Sequence, residues 1–385
     1  MPDQQTGGLH AVIVAASPRP GHIRYARGLV NGLLELSREK NLTLTLIVAP
    51  HQKDFSARRQ KIQVIALRKD PHSSAGQREL SRIVRRLAPD VLHCAEPTTP
   101  RPRVKIPLVT TLHDLTPLVI ENTLSKTSER RAYRKRNARA VKRSQVLIAP
   151  SHCTASDIER FFPAAAGKLV VVPEAVDDFV SAEKQLMPEL MHRLPPTQFF
   201  LTMGNTKPHK NIPLLLRAFE HFYQEAAALP GFDPQACPRL LLVGKNQPGY
   251  LEGQLSGPAC DHVCFTGAVN DEELRWLYAH TLAFVFPSRY EGFGLPPLEA
   301  AGFAVPVLAA HAGSLPEVLG EGASAGAAYF GPDDADELAV LLMRIARDQS
   351  FVDALSTASY ARARLFSWRT TAEATLNLYQ HLARI

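Results

Sequence analysis

Short apolar runs alternate along the chain with longer amphipathic stretches. Several runs are continuously apolar, as expected for parallel strands covered on both faces. The strands predicted in the first half are His10–Ala16, Thr43–Ala49, Ile62–Leu67, Asp90–Cys94, Pro107–Leu112, Gln145–Ala149 and Leu169–Val172. Helices are predicted between them, for example over Arg24–Lys40 and Gln77–Leu87. This alternation predicts a parallel sheet with right-handed crossovers.

The pattern stops at Ser181–Thr197, which contains three prolines, and then starts again. The strands predicted in the second half are Phe199–Met203, Arg239–Val243, Val263–Thr266, Leu282–Phe286 and Val305–Ala309. We therefore predict an α/β protein with two Rossmann-like, doubly wound parallel-sheet domains, 1–185 and 198–366, joined by a linker at 186–197. A C-terminal helix at 367–385 is expected to return to the first domain. Ligands of such sheets bind beyond the carboxyl ends of the strands, here in a cleft between the domains.

The composition is that of a folded chain, with 45% apolar and 21% charged residues in a length of 385. The apolar runs are too short to span a bilayer, and the polar N-terminus does not resemble a secretory signal. Five scattered cysteines favour free thiols in a reducing compartment. Cys260 and Cys264 flank His262, but further ligands at zinc spacing are lacking, and buried thiols are expected. The protein is predicted to be cytoplasmic.

The formal charge of +7 is concentrated in one segment. Lys126–Arg143 contains nine Lys and Arg residues against the single acid Glu129, a net charge of +8, so the rest of the chain is close to neutral. The segment is either a solvated helix face or a patch for an anionic partner. An anionic membrane surface is favoured over nucleic acid, because no nucleic-acid-binding motif accompanies the patch.

The stretch Val285–Ala300 carries the most informative chemistry. A predicted strand ends at Pro287, a loop contains Glu291 with two glycines, and a helix is predicted to start near Pro296. Proline suits a first helical turn, and the amides and dipole at a helix start bind phosphate. Glu291 in the loop and Glu299 in the helix could accept hydrogen bonds from ligand hydroxyls. This combination predicts a site for a phosphorylated, hydroxyl-bearing ligand.

A second loop, Met203–Ile212, follows the first strand of the same domain. Lys207 and Lys210 bring cations to the carboxyl edge of the sheet, where they would neutralise a diphosphate leaving group. Asp334 and Asp336 form a D-x-D pattern that could suggest a metal site. Their position before an apolar helix instead predicts that Asp333 or Asp334 caps the helix, and no metal is assigned.

These segments resemble retaining glycosyltransferases of family 4 (group 1), which have the GT-B fold, and among them the polysaccharide-assembly mannosyltransferases. Glu291 and Glu299 match the family's E-x7-E motif. The other matching segments are Gly204–Phe219, Leu241–Gly244, Phe265–Leu274, Ser288–Val318, Phe366–Trp368, Thr110–Pro117 and Ala149–Ser151. The similarity covers nearly the whole chain and is looser in the first half, where the acceptor domains of the family diverge. It implies that domain 1–185 binds the acceptor and that domain 198–366 binds the nucleotide sugar.

The resemblance implies a role for each matching residue. Glu299 would bind ribose hydroxyls, Glu291 the transferred sugar and Lys210 the diphosphate, while His113 would hydrogen-bond the sugar. The catalytic residues implied are thus His113, Glu291 and Lys210. The implied donor-binding residues are Gly21, Gly204, Asn205, Lys207, Lys210, Gly244, Val269, Arg289, Gly292, Phe293, Gly294, Leu295 and Glu299. Asn205 stands where many members have arginine, so diphosphate binding would depend on Lys210 with Lys207 or Arg289.

The resemblance implies a retaining hexosyltransferase that needs no metal and no enzymic nucleophile. Its donor would be a nucleoside diphosphate sugar, GDP-mannose foremost, and its acceptor a glycan or a lipid-diphosphate-linked saccharide. It would lie in the cytoplasm, peripheral to the inner face of the plasma membrane. A UDP-sugar donor, a nucleotide-sugar epimerase and a non-catalytic nucleotide-sugar-binding protein remain alternatives. A nicotinamide dehydrogenase does not fit, because Ser17–Arg24 lacks the G-x-G-x-x-G pattern.

Overall fold

A computed structural model describes residues 8–52, 62–100, 104–124, 126–176, 198–204, 206–244, 254–255 and 257–384. The chain divides into two compact units. The first unit comprises Met1–Val119, Leu124–Ala175 and Phe366–Ile385, and the second comprises Ile120–Thr123 and Val176–Leu365. The predicted linker at 186–197 and the domain boundary at residue 185 lie outside the described residues.

In the described part of the first unit, seven parallel strands form one sheet in the order β3-β2-β1-β4-β5-β6-β7. The strands are β1 (Leu9–Ala15), β2 (Leu42–Val48), β3 (Gln63–Ala66), β4 (Val91–Cys94), β5 (Leu108–Thr111), β6 (Val146–Ala149) and β7 (Leu169–Val171). Both faces of β1 are buried. Ala11 and Ile13 pack into one hydrophobic cluster, and Val12 and Val14 pack into another.

In the described part of the second unit, six parallel strands form a sheet in the order β10-β9-β8-β11-β12-β13. The strands are β8 (Phe199–Met203), β9 (Arg239–Val243), β10 (Val263–Gly267), β11 (Ala283–Phe286), β12 (Val307–Ala310) and β13 (Ala328–Phe330). Sequence analysis did not predict β13, which is three residues long. The predicted α/β class, with two doubly wound parallel sheets, is confirmed.

In the described residues, α-helices lie between most pairs of consecutive strands. In chain order they are α1 (Pro20–Lys40), α2 (Ser74–Leu87), α3 (Thr116–Val119), α4 (Thr127–Arg143), α5 (His152–Phe161), α6 (Ile212–Ala227), α7 (Asp271–His280), α8 (Leu295–Gly302), α9 (Leu315–Leu319), α10 (Ala335–Arg347), α11 (Gln349–Ala363) and α12 (Trp368–Ala383). Helix α1 begins four residues before the predicted Arg24, at a proline that occupies the first helical turn.

Helix α12 packs within the first unit against α1. A Cβ atom at Gly28 would collide with the indole ring of Trp368, so glycine allows the two helices to approach closely here. Ala372, Leu376 and Tyr379 of α12 are at most 3% exposed in the resulting core. The C-terminal helix is thus part of the first unit's core.

Each sheet contains one point at which the chain reverses its direction of travel across the sheet. In the first unit the chain runs outward from β1 to β3 and resumes at β4, on the other side of β1. In the second unit the equivalent pair is β8 and β11. Crossovers leave opposite faces at such switch points, and the resulting crevice at the strand carboxyl ends is where open α/β sheets bind ligands.

The cysteines in the described residues are free. Cys94 and Cys237 are buried, whereas Cys260 and Cys264 are of intermediate exposure, so the prediction that the latter two are buried was wrong. They lie in the final turn before β10 and in β10 itself, where the side chains are only partly covered. Among the described helices, none combines the length and apolar composition required to cross a bilayer.

Candidate functional site

At the switch point of the second unit, Lys210 and Glu291 form an ion pair. The Nζ atom of Lys210 lies 2.7 Å from Oε1 of Glu291, and the two side chains are 18% and 17% exposed. The Ser288 hydroxyl lies 2.6 Å from the same carboxylate oxygen, to which it can donate a hydrogen bond. The structure therefore brings together two of the three predicted catalytic residues, with a serine that sequence analysis had not singled out.

The loops after β8 and β11 hold this cluster in place. Lys210 ends a short 3₁₀ helix, Pro208–Lys210, that follows β8. The backbone N–H of Arg289 donates to the carbonyl of His209 at 2.8 Å, which ties the two loops together. The Lys210 ammonium also lies 5.2 Å from the centre of the Phe286 ring, within the range of a cation–π contact. The position of the ammonium is thus fixed from two sides.

Helix α8 starts immediately beyond the Glu291 loop. Gly294 precedes it with φ 104°, a conformation that side-chain-bearing residues rarely adopt. Pro296 and Pro297 carry no N–H, so the amides of Gly294 and Leu295 are donors at this helix start. The buried Ser314 hydroxyl lies 3.0 Å from the carbonyl oxygens of both Glu291 and Phe293. A hydrogen bond from this hydroxyl anchors the loop to the start of α9. The predicted residues Gly292–Leu295 therefore form a rigid, glycine-containing helix entrance.

Glu299 is located inside α8 and is only 3% exposed. The Tyr278 hydroxyl of α7 donates to its Oε2 atom at 3.1 Å. Burial of a carboxylate is costly unless it is hydrogen-bonded, and Tyr278 supplies one such bond. Glu299 is thus held in a fixed orientation by a residue that sequence analysis missed, since α7 carried no recognisable signal at Tyr278.

The other donor-binding candidates of the second unit are spread around this cluster. Gly204 lies against the Lys210 side chain, with its ideal Cβ position 3.5 Å from Cγ of that lysine. Gly244 lies beside the carbonyl of Gly204, so close that a Cβ atom would collide with it. Lys207 is exposed, and Val269 is partly exposed in the loop before α7. Asn205 lies outside the described residues.

Arg289 points to a different partner. Its guanidinium lies 2.6 Å from Oδ1 of Asp333, with both side chains well exposed at 43% and 77%. Asp334 caps α10, since its side chain accepts a hydrogen bond from the N–H of Glu337 at 2.9 Å. The prediction that Asp333 or Asp334 is a cap is confirmed, with Asp334 in that role. Within the described residues, no group of three or more His, Cys, Asp and Glu side chains is arranged to hold a metal ion.

The remaining predicted residues, Gly21 and His113, belong to the first unit. Gly21 is exposed in the first turn of α1, with open space around its ideal Cβ position. His113 follows β5 and is buried, with 9% exposure. The His22 ring stacks on His113 at 4.2 Å between centroids, and the Tyr25 ring meets it edge-on at 4.6 Å.

Both ring nitrogens of His113 have hydrogen-bond partners within the unit. Nδ1 lies 2.7 Å from the Glu174 carboxylate, and Nε2 lies 2.8 Å from the carbonyl of Ala95. A carbonyl oxygen can only accept, so Nε2 carries a proton. Burial by itself lowers the pKa of His113, but the hydrogen bond and charge of Glu174 outweigh it and raise the pKa above its usual value. The geometry therefore favours a doubly protonated ring.

Sequence analysis did not identify Glu174 or Glu96. Both follow strands at the carboxyl edge of the first sheet, Glu174 after β7 and Glu96 after β4. A polar residue just beyond a buried strand is the signal that could have indicated them, as it could have indicated Ser288 after β11. No local motif marks Glu174 or Glu96, whereas Ser288 is the first residue of the matching segment Ser288–Val318.

Comparison with known protein families assigns each half of the chain. Residues 10–178 match the model described as "Glycosyltransferase Family 4", and residues 192–362 match "Glycosyl transferases group 1". Solved structures share the fold. A sucrose-phosphate synthase from Thermosynechococcus elongatus superposes with a TM-score of 0.72 at 19% identity, over 97% of this chain and 99% of that one. HepE of Anabaena, in complex with UDP and glucose, gives 0.66 at 17% identity, over 97% and 100%.

Curated relatives are similar in sequence. The chain is 29% identical over 331 residues to the serotype-specific mannosyltransferase WbdA of Escherichia coli, covering 80% of this chain and 39% of that protein. It is 30% identical over 244 residues to O-antigen chain mannosyltransferase B of Escherichia coli, covering 62% and 61%. The chain thus spans about two fifths of the length of the first of these relatives. The two models together match most of the chain, which therefore consists of a glycosyltransferase family 4 domain followed by a group 1 glycosyltransferase domain, with the GT-B fold.

Proposed function

We propose that the protein is a retaining glycosyltransferase that moves a hexose, foremost mannose from GDP-mannose, to a hydroxyl group of a glycan or lipid-linked saccharide. The Lys210–Glu291 pair at the switch point of the second sheet is the observation that carries this proposal. It places a partly exposed cation and a carboxylate at the edge of the sheet where a nucleotide sugar would bind. The names of the curated relatives support mannose as the sugar.

Lys210 would stabilise the leaving group. Breaking the bond between the anomeric carbon and the diphosphate leaves negative charge on the diphosphate, and a preorganised cation lowers the energy of that state. An ammonium group has three donor hydrogens, so Lys210 can contact Glu291 and a phosphate oxygen at the same time. The amides of Gly294 and Leu295 at the start of α8 would add fixed dipoles.

Glu291 and Glu299 would bind hydroxyl groups of the donor. Glu291 already accepts from Lys210 and Ser288, which fixes the carboxylate for contact with the transferred sugar. Glu299, held by Tyr278, would accept from the ribose hydroxyls. Retention would follow from attack by the acceptor on the face that the diphosphate leaves, with a phosphate oxygen taking the acceptor's proton. Such a reaction needs no nucleophilic side chain.

The donor is tested directly with a panel of nucleotide sugars. GDP-mannose, GDP, UDP-glucose and UDP are titrated by calorimetry, and nucleotide release is followed with mannosyl oligosaccharide acceptors. We expect GDP-mannose to bind most tightly and to be turned over with retention of the anomeric configuration. Preferred turnover of UDP-glucose would select the UDP-sugar alternative, in line with the UDP and glucose in the HepE structure. Binding without turnover, or epimerised free nucleotide sugar, would reject glycosyl transfer.

Helix α4 supports an anionic membrane surface as a partner. Arg131, Arg134, Lys135 and Lys142 are exposed, whereas Tyr133, on the opposite face, is buried. Arg130 has a structural function, because its guanidinium donates to the carbonyls of Pro117 and Leu118 at 3.0 and 3.1 Å. The exposed residues form a cationic strip suited to anionic lipid headgroups or to a lipid-diphosphate acceptor.

A further inference from the structure

The first unit contains a polar pocket of about 210 Å³ at its own switch point. Residues that follow β1, β4 and β5 line it, including Ser17, Glu96 and Asp114, and helix α4 closes one side with Arg136 and Asn137. Pockets for drug-sized ligands are roughly 300–1,000 Å³. This pocket is therefore of a size for a single sugar residue rather than for a nucleotide sugar.

The pocket contains buried polar atoms that the protein itself does not satisfy. Glu96 is 5% exposed, and its Oε1 atom has no hydrogen-bond partner in the described residues. Nδ1 of His22 and Nε2 of His72 each lie 3.9 Å from this carboxylate, too far for a direct hydrogen bond. Oδ1 of Asn137, which is 1% exposed, and Nε of Arg136 are likewise unpaired among the described residues. Native proteins pair almost all such groups with protein or ordered water, so these atoms are available to the polar groups of a ligand.

The charge of the lining decides the class of ligand. Arg19 and Arg136 are balanced by Glu96 and Asp114, and the charge of His113 is balanced by Glu174, so the net formal charge around the pocket is zero when His22 and His72 are neutral. Burial raises the pKa of Glu96, but His22 and His72 outweigh it and hold the pKa below its usual range, so the carboxylate is charged. A phosphate would face two carboxylates here, whereas two neighbouring hydroxyl groups can donate one bond each, to Glu96 and to Oδ1 of Asn137, and one of them can accept from Arg136.

We infer that this pocket binds vicinal hydroxyls of a neutral sugar residue, with Glu96 as the principal hydrogen-bond acceptor. The inference rests on the proposed function in one respect only, that this sugar is the terminal residue of the glycosyl acceptor. His113 borders the same pocket, so its pair with Glu174 fixes one wall. Glu96 thereby becomes a determinant of acceptor specificity.

The test uses methyl α-D-mannopyranoside as the neutral probe and mannose 6-phosphate as the anionic one. Binding to the full chain is measured by ligand-observed NMR and calorimetry, with and without GDP. The wild type should bind the neutral glycoside saturably and the phosphate more weakly. Glu96→Gln should weaken glycoside binding about ten- to a hundredfold, the loss expected when a hydrogen bond to a charged group is removed. Its affinity for GDP should not change.

Glu159→Gln is the matched control, because it makes the same substitution at an exposed position of the same unit. It should bind the glycoside like the wild type. Glu96→Gln removes a buried charge and is expected to fold, which thermal unfolding verifies; Asn137→Ser provides a second variant of the pocket. Absence of saturable glycoside binding, equal binding of the phosphate, or unchanged binding by Glu96→Gln would each overturn the inference. Glu96-dependent glycoside binding in a protein that ignores all nucleotide sugars would uphold the pocket and reject the proposed function.

Discussion

Both units place charged side chains at the switch points of their sheets, but these side chains differ in exposure and in how fully they are hydrogen-bonded. At the switch point of the second unit, Lys210 and Glu291 are 18% and 17% exposed. At that of the first unit, the side chains of His113 and Glu174 are 8% and 6% exposed, and both ring nitrogens of His113 are hydrogen-bonded. The second unit therefore offers an accessible cation, whereas the first offers a satisfied pair beside the unsatisfied carboxylate of Glu96.

This difference separates what the topology determines from what the side chains determine. The order of the strands fixes where a ligand can bind, because the crevice forms where the strand order reverses and the crossovers leave opposite faces of the sheet. The chemistry of that crevice depends on the few residues that follow the strands. A cation beside a glycine-containing helix start suits an anion, and a neutral pocket with unpaired acceptors suits hydroxyl groups. Substitutions at either switch point test this interpretation.

Lys210→Met should produce the largest effect. We expect kcat to fall by up to about 10³-fold, the loss typical of removing one preorganised donor to developing negative charge. The methionine keeps most of the apolar stem, and Ser288 still contacts Glu291, so the fold should be retained. Initial rates of nucleotide release at saturating donor and acceptor measure the change.

Lys207→Met is the matched control for this variant, since Lys207 is an exposed lysine of the same loop. Its rate should fall less than tenfold. Equal losses in the two variants would show that the diphosphate is shared between the lysines, and an unaffected Lys210→Met enzyme would remove Lys210 from the site.

Substitutions in the cationic strip on α4 test whether the excess positive charge of the first unit binds anionic membranes. Replacing Arg131, Arg134, Lys135 and Lys142 with Gln should lower binding to anionic vesicles about a hundredfold or more, because each cation contributes up to about 1 kcal/mol. Binding should also weaken in 1 M salt, where the Debye length is only ~3 Å. Vesicle sedimentation measures both effects. Arg130 is left intact because it supports α3.

Four exposed arginines on α2 provide the control for this variant. Changing them to Gln removes the same charge from another helix: Arg78, Arg82, Arg85 and Arg86. That protein should keep most of its vesicle binding, and nucleotide binding should be unaffected in both. If the wild type does not sediment with anionic vesicles at low salt, the strip is a solvated helix face.

Glu299→Gln should weaken nucleotide binding about ten- to a hundredfold, corresponding to a loss of roughly 1.5–3 kcal/mol for hydrogen bonds to a charged group. The glutamine can still accept from Tyr278, so the packing of α8 against α7 should survive. Calorimetry with GDP and UDP measures the affinity, and Glu225→Gln on the exposed face of α6 is the control. Unchanged affinity in Glu299→Gln would exclude Glu299 from the nucleotide site.

Glu174→Gln tests the pair in the first unit through the pH dependence of stability. The pKa of His113 is raised in the folded state because Glu174 outweighs burial. The pair therefore contributes its full stability below the unfolded pKa of about 6.5, and that contribution is lost as the pH rises through the folded pKa. Glutamine can donate to a neutral ring at Nδ1, so the variant should fold without this dependence.

The difference in unfolding free energy between wild type and Glu174→Gln measures this contribution. Urea unfolding at pH 5.5, 7 and 8.5 should show the difference shrinking as the pH rises. Taking the difference cancels groups common to both proteins, such as His93, whose pKa burial lowers to about 3. A difference that is constant across these pH values would mean that His113 is not held in its charged form.

Much of the fold could be predicted from the apolar runs, because parallel strands that are buried on both faces have continuously hydrophobic sequences. The strands β8 and β9 begin and end at the predicted residues. Strand β13 was not predicted, because its sequence, Ala-Tyr-Phe, lacks the β-branched residues that mark the equally short β7. The start of α8 was predictable to within one residue because Gly294 and Pro296 mark it from both sides.

The site was predictable only where a local motif carried it. Lys210 and Glu291 lie in recognisable loops and Glu299 in the helix that follows, although the contact between Lys210 and Glu291 spans 81 positions. Glu174 contacts His113 across 61 positions and belongs to no motif. The unpaired oxygen of Glu96 depends on the space left between His22, His72 and α4, which is a property of packing. Such contacts depend on the folded topology and cannot be recognised from the residue pattern alone.

The smallest effect expected is that of EDTA, which should leave the rate of sugar transfer unchanged. The aspartates of the D-x-D pattern have other functions: Asp334 caps α10, and Asp336 lies 2.7 Å from Nδ1 of His221. Asp333 pairs with Arg289. Lys210 and the start of α8 would supply the positive charge that a metal ion provides in other transferases. Rates measured after dialysis against EDTA, with and without added Mg²⁺ or Mn²⁺, decide the point. Loss of activity that either ion restores would assign the neutralisation of the diphosphate to a metal and reduce Lys210 to a supporting contact.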